Sequence, residues 1–158
     1  MKDKHLDIRI RQCLILAEAS GCPRRKFGAV LLDASRNVVL ADGYNGGPRG
    51  EAEGPLCRGS WCERDGVESG TRMELGCHHA ESNVIANAAA NGIPTRGAWL
   101  IVTGEPCAMC ARLIHHAGIS CVVVVKGGYA GGNAGVDYLQ RNQVPVKFHA
   151  GPQDPRST

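Results

Sequence analysis

Two short clusters hold the residue types that bind a metal and move protons: His79-Ala80-Glu81 and Pro106-Cys107-Ala108-Met109-Cys110. His79, Cys107 and Cys110 offer one imidazole and two thiolates to a single Zn2+. Three protein ligands leave the fourth tetrahedral position open for water, as catalytic zinc sites do. Glu81 lies two residues beyond His79, close enough to sit beside the metal without binding it. A carboxylate placed there can carry protons between the activated water and a substrate nitrogen.

Taken alone, a C-x-x-C also suits a structural zinc or a redox pair, and His79 also suits a surface histidine at a helix cap. Together, H-x-E followed by P-C-x-x-C is the general signature of zinc deaminases that act on nucleobases. Cys107 falls where a helix should begin, after Glu105-Pro106, and the unpaired N–H groups and positive dipole end there favour its thiolate. Cys110 follows one turn later on the same face. His79 opens a second helix, so both ligand helices point their N-termini at the metal.

The elements that must position these groups alternate along the chain. Leu6, Ile10, Cys13, Leu14 and Ala17 recur at helical spacing and stop at Gly21 and Pro23. Residues 27–32 and 38–44 read as strands joined through Asp33-Ala34-Ser35-Arg36-Asn37, a hairpin turn by its chemistry. Residues 79–90 form an alanine-rich helix, 98–103 a strand and 107–117 the next helix. Residues 119–126 contain four consecutive valines, as expected of a strand buried on both faces and parallel to a neighbour. A helix at 136–142 and a strand at 144–149 complete a sheet covered by helices on both sides.

At 158 residues the chain suits a single domain over 1–150, with an insertion at 45–77 and a flexible tail at 151–158. No apolar run is long enough to span a bilayer, and Met1-Lys2-Asp3-Lys4-His5 lacks the apolar core of a secretory signal, so a cytoplasmic location is expected. A net charge of +3 and 4% aromatic residues suit a phosphorylated small molecule better than nucleic acid, which asks for a basic stripe and stacking platforms.

Of the eight cysteines, Cys57, Cys62 and Cys77 lie in or at the end of the insertion, and Cys22 lies at the end of the first helix. These four form a candidate second, structural zinc site that would fold the insertion. The alternative is free thiols, some buried as small apolar side chains.

Four segments together resemble the deoxycytidylate (dCMP) deaminases over nearly the whole chain. They are Cys22-Pro23-Arg24-Arg25-Lys26-Phe27-Gly28-Ala29-Val30, Gly43-Tyr44-Asn45-Gly46-Gly47-Pro48-Arg49-Gly50, His79-Ala80-Glu81-Ser82-Asn83 and Pro106-Cys107-Ala108-Met109-Cys110. The bacterial, archaeal and phage forms with a cysteine-bearing insertion before H-A-E are especially similar. Two positions depart from the pattern: Val84 stands where alanine is usual, and Cys77 lies closer to His79 than the insertion cysteine of many relatives.

The resemblance implies a three-layer α/β/α cytidine deaminase-like fold with a mixed five-stranded sheet, and hydrolysis of dCMP to dUMP and ammonia. It implies a homo-oligomer, often a hexamer, activated by dCTP with Mg2+ and inhibited by dTTP. Asn45 resembles the family's substrate-contacting asparagine; the competing role is a turn asparagine before glycine. Lys26, Arg49 and Tyr129 are candidates for the phosphate because their loops lie near the strand ends where α/β sheets bind ligands; the competing role for each is a solvated surface.

Pro-Cys-Ala-Met-Cys also occurs in tRNA adenosine deaminases and resembles the guanine deaminase motif, so a deaminase of tRNA adenosine, guanine or a modified cytosine nucleotide is the alternative. A non-catalytic zinc module is the remaining reading, and Glu81 speaks against it.

Overall fold

The structure is a computed structural model that describes residues 1–47, 57–58, 61–68, 71–72, 75–125 and 133–152. The apolar spacing of the first segment does produce a helix, α1 (Asp3–Glu18), with Ile10, Cys13 and Ala17 buried. Strands β1 (Gly28–Asp33) and β2 (Val38–Tyr44) form the expected hairpin, with Asn37 at a φ of 55° in the turn. Asp33 accepts from the Ser35 and Arg36 N–H groups and closes that turn.

Within the insertion, β3 (Cys57–Arg58) and β4 (Trp61–Cys62) pair as a two-residue ladder that the sequence did not suggest, because strands this short carry no periodicity. The chain continues through α2 (Ala80–Ala90), β5 (Trp99–Val102), α3 (Ala108–His116), β6 (Cys121–Val125), α4 (Ala134–Arg141) and β7 (Val146–His149).

The main sheet has the order β2-β1-β5-β6-β7. β1 runs antiparallel to β2 and β5, whereas β5, β6 and β7 are mutually parallel. Every residue of β6 is buried, as its run of valines implied. Val122 and Val124 face the cluster built with α2, α3 and α4; Val123 and Val125 face α1. The result is three layers, with one helix on one face and three on the other.

Gly43 lets β2 and α2 meet. A Cβ there would stand 2.9 Å from the Val84 backbone nitrogen, so only glycine allows the approach that holds the start of α2 over the end of the hairpin. Because β1 is antiparallel to β2 and β5, its first residue lies beside the last residues of both strands. Gly28 is opposite Tyr44, and Ala29 is opposite Val102. Three chain segments therefore open at one end of the sheet's strands, where a cleft forms.

Candidate active site

His79 is the N-cap of α2 and Cys107 the N-cap of α3, so both side chains stand at helix starts. The Cys107 sulfur accepts the Cys110 N–H at 3.4 Å, taking up one of the donors that a helix start leaves unpaired. His79 Nδ1 lies 3.6 Å from Cys107 Sγ and 3.5 Å from Cys110 Sγ. All three ligand atoms lie within 4.8 Å of one another. A tetrahedral Zn2+ with Zn–N near 2.05 Å and Zn–S near 2.3 Å requires an N···S separation of about 3.6 Å. The donor set and its spacing therefore fit the ion.

The three side chains share protons. Cys107 is held down to about 4, first by its hydrogen bond with the Cys110 thiol and then by that with His79, with burial acting in the opposite direction. The same contact with Cys107, together with burial, pushes Cys110 up. His79 is raised above the usual histidine range by its bond to Cys107. Glu81 is 7% exposed, and burial pushes its carboxyl up to about 7 despite the opposing effect of His79. A carboxyl poised near neutrality can take and return a proton at modest cost.

His79, Glu81 and Cys107 line a cleft of about 760 Å3, including its open mouth. Phe27, Asn45 and Thr103 line the same cleft. Thr103 Oγ1 accepts the Gly28 N–H at 2.9 Å, tying the end of β5 to the start of β1. The Phe27 ring packs on Gly104, where a Cβ would come within 2.7 Å of the ring.

The basic residues are distributed differently from expectation. Lys26 is absent from the cleft lining; its ammonium donates to the Glu18 carbonyl at 3.3 Å, at the end of α1. Arg24 and Arg25, both exposed, and Arg64 from the insertion are the basic residues that line the cleft. Arg24 donates to the Arg64 and Val67 carbonyls at 2.6 and 3.1 Å. Arg64 donates to the carbonyls of Arg72, Leu75 and Thr71 and so folds its own loop around itself. Arg24 and Arg25 stood in the sequence beside Lys26, but no periodicity separated them from it. Arg49 and Tyr129 lie outside the described residues.

Cys22, Cys62 and Cys77 line the same cleft. The Cys77 thiol is raised chiefly by burial, lowered by its contact with Asn45 and raised further by Cys22 and Cys62. In the β3–β4 ladder Cys57 is the backbone partner of Cys62, although its side chain lies outside the described residues.

The cytidine and deoxycytidylate deaminase zinc-binding region matches residues 4–126. The chain belongs to this family. The deoxycytidylate deaminase of Mycobacterium phage D29 is 37% identical over 113 residues, covering 70% of this chain and 85% of the relative. ComE operon protein 2 of Bacillus subtilis (strain 168) is 36% identical over 115 residues, or 70% of this chain and 53% of the relative. The chain thus spans about half the length of that longer relative.

Among solved structures, this deaminase-family chain superimposes on the apo dCMP deaminase of cyanophage S-TIM5 with a TM-score of 0.75 and 26% identity, covering 94% of this chain and 100% of that one. The mixed five-stranded sheet with helices on both faces is therefore the fold of the family. Among the described residues, no helix is long and apolar enough to cross a membrane.

Proposed function

We propose that this chain hydrolyses dCMP to dUMP and ammonia. The observation that carries the reading is the His79–Cys107–Cys110 triangle, with N···S separations of 3.5 and 3.6 Å, whose His79 and Cys107 line a cleft together with buried Glu81. Its relation to deoxycytidylate deaminases supports the choice of substrate.

His79, Cys107 and Cys110 would hold Zn2+, which would supply the Lewis acidity that activates a water for attack on C4. Glu81 would accept one proton from the attacking water and deliver it to ring N3, then take the proton of the new C4 hydroxyl and pass it to the departing amine, so that C4 becomes a carbonyl and ammonia leaves. The low-dielectric surroundings that lift its carboxyl toward neutrality make it both a competent base and a competent acid. Phe27 and Val102 provide the apolar part of the wall, and Arg24, Arg25 and Arg64 give the cleft the positive charge that suits a monophosphate.

A second Zn2+ held by Cys22, Cys57, Cys62 and Cys77 belongs to the same proposal. It is supported by Cys22, Cys62 and Cys77 all lining the same cleft and by the cross-strand pairing of Cys57 with Cys62. The proposal extends to a cytoplasmic homo-oligomer, a hexamer by resemblance, that responds to dCTP with Mg2+ and to dTTP. Light scattering with and without these nucleotides tests that part.

The decisive assay is ammonia release from dCMP, with deoxycytidine, cytosine, guanine and an adenosine-containing RNA alongside, for wild type and Glu81→Gln. Turnover of dCMP that falls about 10²–10⁴-fold in the variant, with metal content kept, supports the reading. Turnover of another substrate while dCMP is inert overturns the substrate assignment. A zinc-loaded protein inert toward all of them overturns the enzymatic reading.

A further inference from the structure

β2 lies at the end of the main sheet, so one of its two edges has no strand beside it among the described residues. The Asn45 N–H donates to the Phe27 carbonyl, which turns the polar groups of residues 43 and 45 toward β1. Because antiparallel strands alternate in this respect, Asp42, Tyr44 and Gly46 point theirs at the open edge. Such a row of unpaired groups invites a partner.

The partner is the segment that carries His79 and Glu81. Gly46 exchanges two backbone bonds with His78, at 3.2 and 2.9 Å. The Tyr44 carbonyl accepts Asn83 Nδ2 at 2.7 Å, and the Asp42 carbonyl accepts Asn87 Nδ2 at 2.7 Å. Only the NH2 side of an amide can approach a carbonyl, so the orientation of both asparagines follows from their partners.

A helix can be indexed on a strand in this way because their repeats nearly coincide. Four residues of helix advance about 6.0 Å, and two residues of antiparallel strand about 6.8 Å. Asn83 and Asn87, four apart, therefore reach Tyr44 and Asp42, two apart. The adjacent stripe of α2 does the apolar packing: Val84 and Ala88 are buried in the cluster that contains Ala29 and Leu31. Burial is non-directional, whereas a hydrogen bond fixes which residue meets which. His79 itself is extended, at a φ of −74° and a ψ of 153°, so the chain runs strand-like past Gly46 before α2 begins.

We infer that Asn83 and Asn87 are positioning residues that set the register of α2 along the outer edge of β2, and thereby the place of His79 and Glu81 in the cleft. His79 and Glu81 lie between two attached residues, His78 and Asn83. The kinetic arm of the test rests on the dCMP reading.

That arm compares wild type, Asn83→Asp, Asn87→Asp and the double variant, with zinc content and melting temperature measured throughout. Aspartate keeps the shape but sets an oxygen against the carbonyl; alanine at the same positions, which removes the donor without adding charge, takes its place if an aspartate variant does not fold. Asn83→Asp should lower kcat for dCMP about tenfold with zinc kept, because small displacements of a catalytic group are costly. KM should change little, because Arg24, Arg25 and Arg64 stand on other segments. The double variant should lose less than the product of the single losses, since the first substitution already frees the helix.

An unchanged kcat in folded variants that merely melt lower reduces the asparagines to ordinary support and overturns the inference. Loss of zinc in step with kcat, or single losses that multiply fully, also overturns it.

Hydrogen exchange needs no substrate. In Asn83→Asp the amides of Gly46 and His78 should lose about five- to tenfold in protection although neither residue is altered, while that of Val123 in β6 keeps its own. Unchanged protection at Gly46 and His78 overturns the inference. Failure of wild type to turn over dCMP would sink the substrate reading and leave the exchange arm to decide the register of α2.

Discussion

Gly135 packs its bare Cα against the carbonyl of Pro106, so closely that a methyl group at that position would collide with the carbonyl oxygen. Pro106 immediately precedes Cys107, a proposed metal ligand, so the first turn of α4 backs the zinc loop. Gly135→Ala should displace that loop, lowering stability by about 1–3 kcal/mol, the usual range for overpacking. Zinc retention should fall with it. Thermal melting and metal analysis of the purified variant check both.

In the same cleft, Gly104 gives the Phe27 ring its seat, with 2.7 Å between a built Cβ and the ring. Gly104→Ala should push the ring into the cleft and raise KM for dCMP by about tenfold, a shift of roughly 1.4 kcal/mol. The double variant Gly104→Ala with Phe27→Leu should recover much of the loss. Steady-state kinetics of the three proteins measure it.

Metal uptake should release protons. Cys107 is already held as a thiolate near neutral pH, whereas Cys110 and His79 are both held toward their protonated forms. Loading chelator-treated protein with Zn2+ should therefore expel about one to two protons per ion, and apparent affinity should rise with pH because the ligands must be deprotonated. A pH indicator in weakly buffered titrations counts them. Cys110→Ser should reduce the count.

Burial of Glu81 gives chelator-treated protein its own pH dependence. Its carboxyl is raised from 4.5 to about 7, so the folded chain keeps a proton that the unfolded chain releases. The associated stability is complete below pH 4.5 and is lost as pH rises toward 7, by on the order of 3 kcal/mol. Glu81→Gln should flatten this slope. Denaturant melts between pH 4.5 and 7.5 test the sign as well as the size.

The elements with strong periodicity were legible from residue order. α1, the β1–β2 hairpin, α2, α3 and β6 stand where residue spacing, composition and the valine run placed them, with β2 matching at both ends and no end moved by more than three residues. The β3–β4 ladder was not legible, because two residues per strand leave no pattern to detect. Lys26, Arg24 and Arg25 were indistinguishable by charge, and only the folded chain separates them, Lys26 bonding the carbonyl of Glu18 at the end of α1 and the two arginines lining the cleft.

By itself the sequence determined the chemistry available to the chain: an imidazole and two thiolates at helix starts, a glutamate two residues from the imidazole, and the alternation of apolar segments that builds a helix-covered sheet. These are local properties, set by side-chain type and by the period of each element. Only the tertiary structure decided which groups share the cleft. It brought Arg64 from the insertion beside Arg24, gave Phe27 a seat on Gly104 and bonded the Asn45 amide to the backbone of Arg25 and Phe27. Those contacts join segments far apart in the chain, and their geometry exists only once the antiparallel β1 has drawn the ends of β2 and β5 to one end of the sheet's strands.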